Sequence, residues 1–358
     1  MFGSKKTQKQ LEQELIKIKM LLAADPGFTD EYKAQVSQRS LDPDWIQYLN
    51  GNAICEINQK TGTMIMTSSG DDFNLIYPVN IDLNISNRCE IGCPFCYQGC
   101  TPKGKEANIK YYLRHKKNFL HTLRPGTELA INGNEPLHPD LPKLLDFCQR
   151  KGILANLTVN ERTFLSSKDT LIKWLNAGLI HGLGISPSQY SEEFLYFAAN
   201  CPQVVVHTIV GVTSKKQYFT LFQRGIKVLI LGYKLTGRGA AYQKEEGVAG
   251  AQSQLFLHNK EGLKRVLQIL KDDLSFVSFD NLAIQQLDPK KLLSIPDDQY
   301  QLLYRGDDGQ HTMFIDMVSE FYAKNSIQQK KNRKPLLPTI DEMFADIKKE
   351  NKKHETSN

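Results

Sequence analysis

Residues 80–96 read NIDLNISNRCEIGCPFC. The stretch 80–85 is short and rich in Ile and Leu, the composition of a strand. Three thiols follow it at once, Cys89, Cys93 and Cys96, in the spacing C-x3-C-x2-C, and Cys100 places a fourth within twelve residues. The N-terminus has no apolar core and no small-residue cleavage site, so it does not read as a secretory signal. No apolar run reaches the roughly 20 residues needed to span a bilayer. The compartment expected is therefore the cytoplasm, which is reducing, and the seven cysteines are expected as thiols or metal ligands rather than disulfides. Thiolates this closely spaced serve a metal.

Spacing bears on which metal. A structural zinc site takes four ligands, usually as two separated pairs. An electron-transfer ferredoxin supplies four thiolates per cluster. Three thiolates bind three irons of a cubane and leave the fourth iron open. Cys100 extends the run to C-x3-C-x2-C-x3-C, so a four-thiolate cluster and a zinc site stay open on spacing alone. We favour the three-thiolate cubane, because ferredoxins are small and lack the βα body that follows.

That body is read outward from the cysteines. Strands are predicted at 80–85, 128–132, 154–159, 182–186, 204–210 and 228–232, all short and apolar, which suits parallel strands covered on both faces. Helices are predicted between them: one stripe of Ile109, Tyr112, Leu113, Leu120 and Leu123, then 141–150, 168–177 and 191–199. Six βα units in a row imply right-handed crossovers and a parallel sheet, open or closed into a partial barrel. Upstream, Leu11, Leu15, Ile18 and Leu22 mark a helix over 5–24 that Asp25, Pro26 and Gly27 end. A second helix is predicted over 29–37 with Thr29 as its N-cap, and 53–57 with 63–67 as a β-hairpin. Downstream, 236–254 reads as a mobile loop, followed by a helix near 260–270, a strand near 275–279 and a helix near 316–323. The divisions expected are 1–77, 78–235, 236–325 and a basic, peripheral tail at 326–358.

The motif C-x3-C-x-aromatic-C, with Phe95 as the aromatic, resembles the signature of the radical S-adenosylmethionine (SAM) superfamily. About 40 residues on, Gly133, Asn134, Glu135 and Pro136 resemble that family's Gly-Gly-Glu-Pro motif, with Asn134 in place of the second glycine. The resemblance covers roughly residues 78–235. It implies an α/β fold, a partial (β/α)6 TIM-type barrel carrying N-terminal helices and a hairpin and a C-terminal α/β extension. It also implies one [4Fe–4S] cluster on Cys89, Cys93 and Cys96, SAM on the open iron, and an external one-electron reductant of flavodoxin or ferredoxin type. Reductive cleavage of SAM would give a 5′-deoxyadenosyl radical that removes a hydrogen from the substrate. Gly133, Asn134, Glu135 and Pro136 would hold the SAM amino group, Phe95 would set its backbone near the adenine, Ser186 would meet the ribose, Val210 and Gly211 would pack on the adenine, and residues 231–233 would offer backbone to the base.

Other residues carry weaker readings. His207 is expected as a satisfied core histidine, Tyr97 as packing, and Cys148 and Cys201 as ordinary buried thiols. Arg88 either tunes the cluster or bonds a nearby carboxylate. Tyr233, Lys234 and Arg238 edge the site and are candidates for an anionic substrate group. Asp308 and His311, in a polar glycine-rich segment at 305–311, become substrate candidates if that segment folds over the site. Beyond residue 100 only Cys148 and Cys201 remain, so no second cluster is expected. Of the net charge of +6, residues 1–20 hold five Lys against two Glu and residues 324–358 hold nine Lys/Arg against five Asp/Glu, so the body stands near −1. A neutral body argues against a duplex nucleic-acid groove, and no membrane partner is expected. The substrate expected is a peptide or protein side chain, slightly favoured over a nucleotide-like small molecule because the N-terminal helices and hairpin offer a docking surface.

Overall fold

The computed structural model describes residues 5–70, 73–244, 249–271, 273–303, 309–327 and 332–355. Two helices, Lys5–Ala24 and Asp30–Arg39, lead into three antiparallel strands: β1 (Trp45–Asn50), β2 (Ala53–Asn58) and β3 (Met64–Ser68). The hairpin expected at 53–67 is present as β2 and β3. β1 was not foreseen, and it pairs with β2 from Trp45↔Asn58 to Asn50↔Ala53. Thr29 caps the second helix by accepting the Tyr32 amide at 3.2 Å. The fully buried Glu56 on β2 takes both arms of Arg39, at 2.8 and 2.7 Å, and the Gln47 amide at 2.6 Å. That network ties the second helix to this small sheet.

The large sheet has ten strands. They are β4 (Asn80–Asn84), β5 (Glu128–Gly133), β6 (Leu154–Asn160), β7 (Gly182–Ser186), β8 (Val204–Ile209), β9 (Val228–Leu231), β10 (Val277–Phe279), β11 (Thr312–Asp316), β12 (Phe321–Ala323) and β13 (Lys334–Pro335). Their order is β10-β9-β8-β7-β6-β5-β4-β11-β12-β13. Every pairing from β10 to β11 is parallel, and β12 and β13 add antiparallel to that end. The chain is thus mixed α/β around a large, mostly parallel sheet. No pairing among the described residues joins β10 to β13, so the sheet is open.

The two faces of the sheet differ, against the expectation of apolar cover on both. Ile81, Leu83, Leu129, Ile131, Leu157, Val159, Leu183, Ile185, Val204 and Val206 are fully buried under the helices. The alternate positions Asp82, Asn132, Asn156, Thr158, Ser186 and His207 are partly or fully exposed. Side chains alternate along a strand, so one face is dry and the other is polar on β4 to β7, becoming apolar on β8 and β9 at Val205, Ile209, Leu229 and Leu231 beside His207. The polar face meets the carboxyl ends of the strands where the cysteine loop begins.

Four further expectations are corrected. The stripe 109–123 is two pieces, the helix Ile109–Arg114 and the 3-10 turn Phe119–Thr122, because the Asn118 side chain bonds the Tyr112 carbonyl at 2.9 Å and caps the turn. Residues 236–254 hold the helix Arg238–Lys244 and the start of the helix Ala249–Ile269; 245–248 lie outside the described residues. Residues 316–323 are a β-turn hairpin rather than a helix: the Asp316 carboxylate accepts the Val318 and Ser319 amides, and Glu320 turns back at φ 54°. The tail is not peripheral. Its helix Ile340–Glu355 sends Ile340, Met343, Phe344 and Ile347 into the same core that holds β4 to β9.

Candidate metal and cofactor centre

Two asparagines fix where the cysteine loop leaves β4. Asn132, near the end of β5, accepts the Ile85 amide at 2.7 Å and donates to the Ser86 carbonyl at 2.9 Å. Asn134 donates to that carbonyl too, at 2.7 Å. The loop then closes on itself. Cys89 N–H donates to Thr101 O at 2.9 Å, and Thr101 N–H to Asn87 O at 3.1 Å. Gly92 and Gly99 take φ of 72° and 68°, which glycine adopts at no steric cost.

Cys89, Cys93 and Cys96 are half-buried, and Cys100 is buried. Burial and the neighbouring sulfurs push the Cys93 thiol up. Cys96 goes the other way: the Cys100 thiol bonds to it, the Cys100 and Gln98 amides point at it, and Arg238 lies near, so it is held well below the usual thiol range. Cys100 is pushed up by its neighbour Cys96 and by burial, and its Sγ lies 3.4 Å from the Gln98 amide oxygen. Among the described residues no three His, Cys, Asp or Glu side chains are grouped as a ready metal site. The donor chemistry fits a soft metal all the same: three half-buried thiols share one short loop whose backbone is pinned at both ends. Rotation of the thiol side chains on that backbone is what a cluster would require.

The second motif lies against the first. Glu90 N–H donates to Glu135 O at 2.7 Å. Gly133 ends β5 where a Cβ would sit 2.7 Å from Val159 Cγ1 and 2.9 Å from Thr158 O, so no side chain fits there. Asn134 uses its amide on Ser86 O and, at 3.8 Å, on Cys100 Sγ. The Glu135–Pro136 peptide is cis, and the Glu135 carboxylate accepts Ser166 Oγ at 3.2 Å. His138 is buried: its Nε2 bonds Ala107 O and its Nδ1 accepts the Asp140 amide, which locks the chain after the motif.

The remaining candidates divide. The Phe95 ring lies edge-on to Tyr242 at 5.9 Å. Ser186 ends β7 opposite Asn160, on the polar face. Val210 is fully buried, and the space in front of Gly211 is filled by the Phe256 ring. The backbone at 232–233 is not open to a base either: Gly232 N–H goes to Asp280, and Tyr233 exchanges hydrogen bonds with the Gln286 amide, all at 2.8 Å. Tyr233 and Arg238 are not poised for an anion. The Tyr233 hydroxyl donates to Gly239 O at 2.7 Å, and Arg238 is spent on the cysteine loop. Lys234 Nζ stands 4.1 Å above the Tyr97 ring and 3.0 Å from Ser326 Oγ. Arg88 faces Glu90 at 3.7 Å, the exposed carboxylate option. His207 lies on the polar face against Gly184, where burial and then Lys234 push it down to about 4, so it is neutral. Cys148 is a buried, inert thiol pushed up to about 12. His311 packs edge-on to Phe73 beside the start of β4, at the opposite end from the cysteines, and Asp308 lies outside the described residues.

Three features that matter here were not foreseen from sequence. Asn132 had the signal of a polar residue closing an apolar strand. Cys100's pairing with Asn134 had none, because it depends on a loop folding back. Glu161 accepts the Ser188, Gln189, Tyr190 and Ser191 amides and the Ser191 hydroxyl, shaping the loop after Ser186.

No known family description and no curated protein matches the chain. Among solved structures, one titled "Crystal structure of Streptococcus suis SuiB" aligns with a TM-score of 0.46 at 13% identity, over 81% of this chain and 85% of that one.

Proposed function

We propose that the chain is a radical SAM enzyme, with β4 to β9 as the six strands of a partial (β/α)6 barrel and Cys89, Cys93 and Cys96 as ligands of one [4Fe–4S] cluster. The observation that carries this reading is the contact between the two motifs: the Glu90 amide donates to Glu135 O, so the thiols and residues 133–136 share one end of adjacent parallel strands. That end is where open parallel sheets hold ligands. Bound there, the cluster and SAM would supply reductive cleavage of the sulfonium and a 5′-deoxyadenosyl radical. The chain's own part is positional. Asn132 and Asn134 hold the loop root, and Gly133, having no side chain, lets the end of β5 close against β6. Asn156, Thr158, Ser186 and neutral His207 line the polar face on which a substrate would rest. The substrate favoured is a peptide or protein side chain over a nucleotide-like small molecule, with an external flavodoxin- or ferredoxin-like donor.

One observation favours a second reading. Cys100 is a buried thiol in the same loop as Cys89, Cys93 and Cys96, so a four-thiolate zinc or closed Fe–S site in a non-catalytic interaction protein stands as the alternative. Anaerobic reconstitution separates the two. The enzyme reading expects about four iron and four sulfide per chain, and 5′-deoxyadenosine on adding dithionite and SAM. Cys93→Ala should abolish the cluster and Cys100→Ala should keep it. Loss in both variants, or SAM left intact after reduction, sinks the enzyme reading.

A further inference from the structure

Residues 236–239, Thr-Gly-Arg-Gly, follow β9 and lie along the cysteine loop, some 140 residues away in sequence. Arg238 makes three hydrogen bonds to that loop. Its backbone N–H donates to Cys96 O at 2.9 Å, its Nε to Cys93 O at 2.9 Å and its Nη1 to Cys100 O at 2.7 Å. Thr236 Oγ1 adds a fourth, to Tyr97 O at 3.1 Å. The glycines on either side make the approach possible. Gly237 takes φ of 57°, and a Cβ there would collide with Tyr97 O and lie 2.6 Å from Cys96 O; a Cβ on Gly239 would collide with Lys234 O. The Tyr233 hydroxyl holds Gly239 O from behind, and Tyr242 rests on Phe95.

The consequence is directional. Four carbonyls between Cys93 and Cys100 are drawn towards one segment. Bonds from a guanidinium to carbonyls are charge-assisted and stronger than neutral ones. The planar fork reaches Cys93 O and Cys100 O together, which a lysine ammonium, as a single point donor, does not.

We propose that residues 236–239 form a clip that holds the cysteine loop in its metal-binding backbone before any metal arrives, with Arg238 as the positioning residue. The metal in that statement rests on the reading given above, whereas the clip itself concerns the loop alone.

Hydrogen exchange on the metal-free full chain tests it, comparing wild type with Arg238→Gln, Arg238→Lys and Gly237→Ala. The reporters are the amides of Cys89, Cys96, Gly99 and Thr101, which are hydrogen-bonded within the loop. Arg238→Gln and Gly237→Ala should speed exchange over 89–101 by about tenfold or more with β5 and β6 unchanged, as for a local opening; Arg238→Lys should fall between. Unchanged exchange in the loop overturns the clip, and so does exchange that rises equally across β5 and β6 in all three variants, which would mark a global defect. After anaerobic loading with iron and sulfide, Arg238→Gln should retain less iron than wild type. Its reduced electron paramagnetic resonance signal should shift, with Arg238→Lys restoring part of both. A wild type that takes up no iron and sulfide would defeat the metal reading and leave the exchange result to decide the clip.

Discussion

Glu161 shows how a single charged side chain can be structural. Fully buried at the start of the helix Glu161–Asn176, it collects four backbone amides and one hydroxyl between residues 188 and 191. Burial alone favours the neutral acid, but the amides of Gln189, Ser191 and Ser188 outweigh it and hold the carboxyl below the usual range. A lowered folded value stabilises the fold fully above the unfolded carboxyl value of about 4.3, and that contribution is lost as pH falls through the folded value. Glu161→Gln should therefore cost about 1–3 kcal/mol at pH 7, the penalty for leaving buried donors poorly matched. The gap to wild type should narrow below pH 4. Urea melts at pH 7 and pH 3 measure it, and an equal gap at both would show that the charge is irrelevant.

At the scale of elements, the site depends on how closely strand ends approach. Gly133 closes β5 against β6, where a Cβ would press on Val159 Cγ1 and on the Thr158 carbonyl. The carbonyl belongs to backbone paired in the sheet and cannot yield cheaply. Gly133→Ala should destabilise by about 1–3 kcal/mol through overpacking, read as a shift in urea midpoint. It should also displace Asn134 from Ser86 O, so that the root of the cysteine loop exchanges faster than in wild type. Asn134 sits where the resembled motif has a second glycine, and its side chain does work that glycine lacks: it ties the end of β5 to the loop after β4 and touches Cys100.

For the molecule as a whole, the C-terminal helix is part of the foundation. Phe344 is fully buried, and Lys334 holds Asp346 and Glu350 at 2.6 and 2.5 Å while Tyr322 donates to Asp346. β11 enters the sheet beside β4, the strand that launches the cysteines. Phe344→Ala should cost about 3–5 kcal/mol, measured by thermal or urea unfolding. A cost below about 1 kcal/mol, the level of a surface substitution, would return the tail to the periphery.

The order of the strands from β4 to β9 was legible because each is a short apolar run bounded by turn residues, and local composition is enough to mark such runs; the helix Lys215–Phe222 between β8 and β9 was not foreseen. The cysteine loop was legible because four thiols within twelve residues, directly after an apolar run, are a local pattern. Even the two unlike faces were written in the alternation of Ile81, Leu83 and their polar neighbours, though the apolar content of the strands pointed to cover on both. Contacts between distant segments were not legible: Arg238 reaching the Cys93, Cys96 and Cys100 carbonyls, Asp280 and Gln286 occupying the backbone after β9, and the C-terminal helix joining the core. Each depends on a register between segments tens to hundreds of residues apart, which no window of sequence contains. Residue spacing along one loop determined which atoms are available to a ligand, and only the packing of the chain against itself decided which of them were already taken.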